Sequence, residues 1–179
     1  MKSLLALARG IDALNERVGR AVMWLVLAAT LVSAGNALVR YGLNISSNAW
    51  LEIQWYLFGL IFLLGAGYTL KHNGHVRIDV VYGRIGPRAQ AWIDLLGGLL
   101  FLLPLCALIV WMGWDFFHTS FLIREGSPDA GGLPRWPIKL AVPAGFALLF
   151  LQGVAEIIKR AAFLNGDIEL KIEAPEEMV

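Results

Sequence analysis

Few residues of this sequence could do chemistry. Carboxylates stand inside or beside long apolar stretches: Glu52, two residues before Gln54, then Asp94, and then Glu156 with Gln152. A charge buried in a bilayer costs about 3 kcal/mol or more, so each is a candidate functional group. Three readings stay open for Glu52: an ion pair facing a partner chain, a proton site, or an acid favoured in the first turn of a helix. Asp94 is expected to pair with a base on the same rim, such as Arg88.

His72 and His75, followed by Asp79, have a spacing that could hold a metal on a helix. Asn73-Gly74 lies between the histidines and favours a turn, which removes the required register. They are therefore read as part of a solvated loop at headgroup depth. A b-type haem needs histidines that face each other within the membrane, and His72 and His118 fall at opposite ends. Cys106 is the only cysteine. This leaves no intramolecular disulfide and no cysteine-based zinc site, and Cys106 is read as a small packing residue. No nucleophile constellation, phosphate loop or catalytic carboxylate pair is present, so an enzyme is not expected.

The elements that must carry these residues are membrane helices. The sequence is 58% hydrophobic and only 16% charged, with a mean hydropathy of +0.63. Soluble domains average about 25% charged residues. The net charge of +1 gives no case for nucleic acid. The expected fold is an all-α membrane protein with four transmembrane helices, at about 21–39, 49–70, 90–114 and 138–158. A 20-residue helix covers about 30 Å, the thickness of the hydrocarbon layer.

Residues 1–20 repeat Leu4, Leu7, Ile11, Leu14 and Val18 at steps of three and four. This predicts an amphipathic interfacial helix, although packing against a partner chain would use the same stripe. The first span is read as retained rather than as a cleaved signal, because Asp12 and Glu16 stand among the preceding bases. A second, short interfacial helix is expected in the central loop, over residues 75–85. Pro104 predicts a kink in the third span. The third helical pattern runs on to Ile123, and an irregular Gly- and Pro-rich loop follows. Residues 161–179 are read as a cytoplasmic tail. Ala29, Ser33 and Ala37 in the first span, and Ala141 and Gly145 in the fourth, have the small-residue spacing that lets helices approach closely.

Eleven Lys and Arg residues fall on the side of the termini and central loop and four on the other, which puts both termini in the cytoplasm. The tryptophans fall near span ends, as an aromatic belt requires. All the carboxylates lie toward the rims. A chain that moved a solute alone should carry polar groups or a broken helix near the midplane. This pattern suits a structural or coupling subunit.

The sequence resembles the small membrane subunit, or small permease, of the tripartite ATP-independent periplasmic (TRAP) transporters. The resemblance covers about residues 22–160. It rests on Glu52 with Gln54-Trp55-Tyr56, on residues 65–68, on His75-Val76-Arg77-Ile78-Asp79-Val80, and on Ser127, Leu133-Pro134, Trp136 and Pro143. It implies an accessory subunit in the bacterial inner membrane, without catalytic residues or a cofactor of its own. Its implied partners are a large membrane subunit, which moves an organic acid with sodium, and a periplasmic substrate-binding protein that docks on the outer face. Sodium is expected on the large subunit. Candidate partner contacts are Glu52, Trp55, Tyr56, Gly65, Gly67, Tyr68, His75, Arg77 and Asp79. Candidate docking residues are Arg124, Glu125, Asp129, Arg135 and Trp136. The rival reading is an autonomous channel or transporter built by homo-oligomerisation, and a haem-anchor or enzyme subunit is a third.

Overall fold

Long apolar stretches alternate in this chain with short runs of Asn, Gly, Ser and Pro, and the helices stop in those runs. The structure, a computed structural model, describes residues 1–75, 82 and 85–168. Among these residues are five α-helices: α1 (Lys2–Gly42), α2 (Asn48–Lys71), α3 (Pro87–Gly97), α4 (Leu103–Leu122) and α5 (Trp136–Leu164). A π-helical turn, Gly98–Leu102, joins α3 to α4, so that Pro87–Leu122 is one span of 36 residues. Four spans are thus long and apolar enough to cross a membrane, and the described residues contain no strand. Most of the interfacial helix expected over 75–85, namely 76–81 and 83–84 with Arg77 and Asp79, lies outside the described residues, as does the tail from 169 onward.

The helix ends follow from local chemistry. Three C-termini are closed by a residue in the left-handed region: Asn73 (φ 52°) after α2, Arg124 (φ 51°) after α4 and Gly166 (φ 80°) after α5. In each case the next amide reaches back over the last turn: Gly74 N–H to Thr69 O, Glu125 N–H to Ser120 O, and Asp167 N–H to Ala162 O. These bonds satisfy carbonyls that the helix itself leaves open. Pro137 lies in the first turn of α5, where its missing N–H costs nothing.

Two expected local features have a definite form here. At Pro104, where a kink is expected, the helix widens into a π-turn that ends just before the proline, with Leu103 N–H bonded to Gly98 O. The extra residue in that turn relieves the crowding of a proline ring against the preceding carbonyls. Residues 1–20 are not a separate element but the first half of α1. The buried seam of α1 is Ala8, Ile11, Asn15, Gly19 and Val22, displaced from the leucine stripe. Ala8 and Ile11 pack on Ala155 of α5, while Leu4, Leu7 and Leu14 stay exposed.

The last helix is the hub. It packs against α1, α2, α3 and α4, whereas α3 and α4 pack chiefly on it. A third of its most apolar window is buried (33%), against 6% in each other span. Small residues make this possible, because lipid-facing leucines gain nothing by leaving lipid and close backbone approach must supply the attraction. A Cβ at Gly145 would come within 2.6 Å of the Leu63 carbonyl oxygen, and one at Gly113 within 3.4 Å of Pro143. Ala141 and Gly145 are buried as expected, but Ser33 and Ala37 are exposed. The half of α1 beyond Val22 holds to α2 by contacts such as Ser33 Oγ to Gln54 Oε1 at 3.2 Å.

Candidate functional site

The polar side chains gather at the two ends of the bundle. One end, here the loop end, carries the connection 123–135; the other, the basic end, carries the start of α1 and the end of α5.

Glu52 organises the loop end. Its position in the second turn of α2 points the carboxylate under the irregular loop, and only 3% of the residue is exposed. It accepts hydrogen bonds from the Ser127 hydroxyl, from the Leu133 amide and from Arg135 Nη2 at 3.2 Å. Ser127 Oγ in turn accepts the Asp129 amide at 3.1 Å. Gly132 leaves the room this requires, since a Cβ there would lie 2.8 Å from Glu52 Oε1. The Arg135 guanidinium also stacks on the Trp55 ring at 4.9 Å, a cation–π contact. Two further bonds tie α2 to the loop: Tyr56 Oη donates to Pro134 O at 2.9 Å, and Asn48 Nδ2 donates to Ala130 O at 2.9 Å.

A second pair closes the other side of the loop. Lys139 of α5 binds Glu125 and lies over the Phe116 ring at 4.1 Å. Its ammonium holds the Glu125 carboxyl below the ordinary carboxylate range. The Arg135 amide donates to Glu125 O at 2.8 Å, and Phe121 meets Trp136 edge to face at 5.3 Å.

At the basic end the helices are joined directly. Asn15 of α1, fully buried, donates to Gln152 Oε1 of α5 at 3.0 Å. Gln152 donates to Asp12 at 2.7 Å and to Glu156 at 3.0 Å. Lys159 completes the ring with bonds to Asp12 at 3.1 Å and Glu156 at 2.6 Å. Asn15 Oδ1 has no hydrogen-bond partner and occupies the space where a Gly67 Cβ would stand. Beside it, Glu16 receives Lys71 at 2.7 Å, His72 at 3.0 Å and Arg20 at 3.0 Å. Asp94 receives Arg160 Nη2 at 3.1 Å and the Tyr82 hydroxyl at 2.8 Å. The expected pairing of Asp94 is therefore made with Arg160 of α5 and not with Arg88, which is exposed on α3.

The residues expected at a partner surface are placed as follows. Glu52 and Tyr56 bind the chain's own loop, and Trp55 is half exposed beneath Arg135. Gly65 faces Val22, Gly67 is buried against Asn15 and Leu148, and Tyr68 lies across Gly19 with its ring 4.3 Å from that of His72. Among the described residues of this set, only His75 is exposed at the bundle's basic end. Of the docking candidates, Arg124 and Asp129 are exposed, whereas Glu125, Arg135 and Trp136 are engaged within the chain. Sequence reasoning missed Asn15 and Gly132. Their signal, a polar residue and a glycine with no local role, was present but had no address. No group of three or more His, Cys, Asp or Glu converges among the described residues.

Glu52, Trp55, Tyr56, Ser127, Leu133, Pro134 and Arg135, far apart in sequence, thus form one fastening. Residues 29–163 match the profile of the family described as tripartite ATP-independent periplasmic transporters, DctQ component. The chain belongs to this family. As a DctQ chain it is a multi-pass membrane component of a transporter and not an enzyme. It is similar to the C4-dicarboxylate TRAP transporter small permease protein DctQ of Pseudomonas aeruginosa, 31% identical over 106 residues, which are 58% of this chain and 50% of the relative. A putative TRAP transporter small permease protein of Haemophilus influenzae is 32% identical over 100 residues, 56% of this chain and 60% of the relative. The DctQ protein of Rhodobacter capsulatus is 33% identical over 102 residues, 54% of this chain and 43% of the relative. The chain spans about half the length of the curated relatives it matches. No solved structure matches this DctQ chain.

Proposed function

We propose that this DctQ chain is the scaffold subunit of a TRAP importer in the bacterial inner membrane, with its basic end and both termini in the cytoplasm. It supports a large membrane subunit that moves an organic acid together with sodium. The loop end forms part of the face on which a periplasmic substrate-binding protein docks. The names of the Pseudomonas and Rhodobacter relatives favour a C4-dicarboxylate as the acid. The observation that carries this reading is the distribution of charge. Among the described residues the carboxylates sit at the two ends, where Asp12, Glu16, Glu52, Asp94, Glu125 and Glu156 fasten the chain to itself, while the sides of the spans expose apolar residues such as Leu31, Phe58, Phe62 and Phe101. A surface of that kind suits a neighbouring helix bundle, and it offers a charged solute no path of its own.

The test is reconstitution. Vesicles holding this chain with the large subunit and the binding protein are expected to accumulate a C4-dicarboxylate in a sodium gradient, and omission of this chain should abolish uptake. Solute flux through vesicles holding this chain alone would overturn the proposal.

A further inference from the structure

At the basic end α2 and α3 both pack on α5 but not closely on each other, and the gap is a fissure of about 310 Å³. A single water takes about 30 Å³ of liquid, so this is far more than the room for one bridging molecule. Its lining changes along its depth. Leu70 of α2 and three glycines, Gly97, Gly98 and Gly153, form the apolar part, and Asp94, Glu156 and Arg160 line it as charged groups. Gly153 and Arg160 are seven residues apart on α5, about 10 Å along its axis, with Glu156 between them. The π-turn begins at Gly98, in the wall of the fissure, and such turns commonly mark functional positions.

The charges in the lining are unevenly satisfied. Asp94 has Arg160 Nη2 and the Tyr82 hydroxyl, and Glu156 has Lys159 and Gln152. Among the described residues Arg160 faces a single acceptor, Asp94, although a guanidinium has five N–H donors, and its Nε is buried with no partner. A buried donor without an acceptor costs about 1–3 kcal/mol, which points to an acceptor supplied from outside the chain. A ligand that presents anionic oxygen at the rim and a hydrocarbon chain below it is a phospholipid.

We infer that the fissure between α2, α3 and α5 is a phospholipid site, with the phosphate at Arg160 and one acyl chain along Gly97, Gly98 and Gly153. The intact chain, extracted in mild detergent with its co-purifying partners, is expected to retain one phospholipid that native mass spectrometry counts. Gly97→Leu adds bulk to the lining of the fissure at a position where a Cβ would meet nothing within 4 Å. Arg160→Gln removes the cation. Both variants should lose that phospholipid, whereas Arg88→Gln, an exposed base at the same end, should keep it. Unchanged lipid content in either of the first two variants would overturn the assignment, as would equal loss in Arg88→Gln. Phosphatidylglycerol and phosphatidylethanolamine added to delipidated protein should raise its melting temperature in the wild type but not in Gly97→Leu. The same rise with inorganic phosphate alone would mean that a free anion, not a lipid, occupies the site.

Discussion

The two ends of this chain are both polar and both fastened by the chain's own residues, but they are built differently. At the basic end, Asp12, Asn15, Gln152, Glu156 and Lys159 lie on two rigid helices, and each bond backs up another: if Gln152 is removed, Lys159 still bridges Asp12 and Glu156. At the loop end one carboxylate, Glu52, serves a hydroxyl, an amide and a guanidinium of a connection that has no regular structure of its own. Redundancy suits a joint between helices, because their backbones are already satisfied. A loop has unsatisfied amides, and a buried acid that collects them is an economical way to give it one conformation.

That contrast can be broken at either end. Glu52→Ala removes the acceptor of the Leu133 amide and leaves Arg135 Nη2 only Ser127 Oγ, at 3.4 Å. Removing one member of a buried ion pair costs about 3 kcal/mol or more, and the partial exposure of Arg135 (24%) favours the lower figure. The expected result is a marked fall in melting temperature in detergent, with new protease cleavage confined to residues 123–135. Gln152→Leu should cost less, about 1–2 kcal/mol, because Lys159 continues to hold Asp12 and Glu156. A larger loss than for Glu52→Ala, seen in the same melting assay, would mean that the redundancy at the basic end is only apparent.

Arg124→Gly acts in the opposite direction. Arg124 sits at φ 51°, a conformation costing a non-glycine residue about 1 kcal/mol, so glycine should stabilise the chain by about that amount. If Arg124 contacts the docking protein, the same variant should also weaken that association, which a pull-down reads separately from melting.

The smallest effect concerns pH. The Glu125 carboxyl is held below its ordinary value of 4.5 by Lys139, so the folded state resists protonation more than the unfolded state does. The stabilisation is fully present above that ordinary value and is lost as pH falls through the lowered one. Melting curves of Lys139→Gln against wild type should therefore converge at acid pH and separate above about 4.5. Parallel curves would remove the pair from the account of the loop.

Much of the architecture was legible before any tertiary contact. The four spans, the break at Asn73-Gly74, the irregular 123–135 loop and the use of Ala141 and Gly145 follow from local signals: hydropathy over about 20 residues, turn chemistry, and small residues at helical spacing. The site was legible only as a set of residue types. Glu52 was visible as an acid near the start of a helix, but its partners lie some eighty residues away in a loop with no periodicity. Asp94 was visibly in need of a base, and the nearest in sequence, Arg88, is not the nearest in space.

By itself, then, the sequence determined which segments enter a membrane and where their charged rims fall. Those properties depend on each residue's own exchange between water and hydrocarbon. Only the tertiary structure decided that α1 buries Ala8, Asn15 and Gly19 rather than its leucines or Ala29, Ser33 and Ala37, and that α5 is the hub. In lipid an apolar side chain is equally well placed against a helix or an acyl chain, so hydropathy does not say which face packs. Backbone approach and polar pairing decide it, and both depend on the relative depth and rotation of helices distant in sequence.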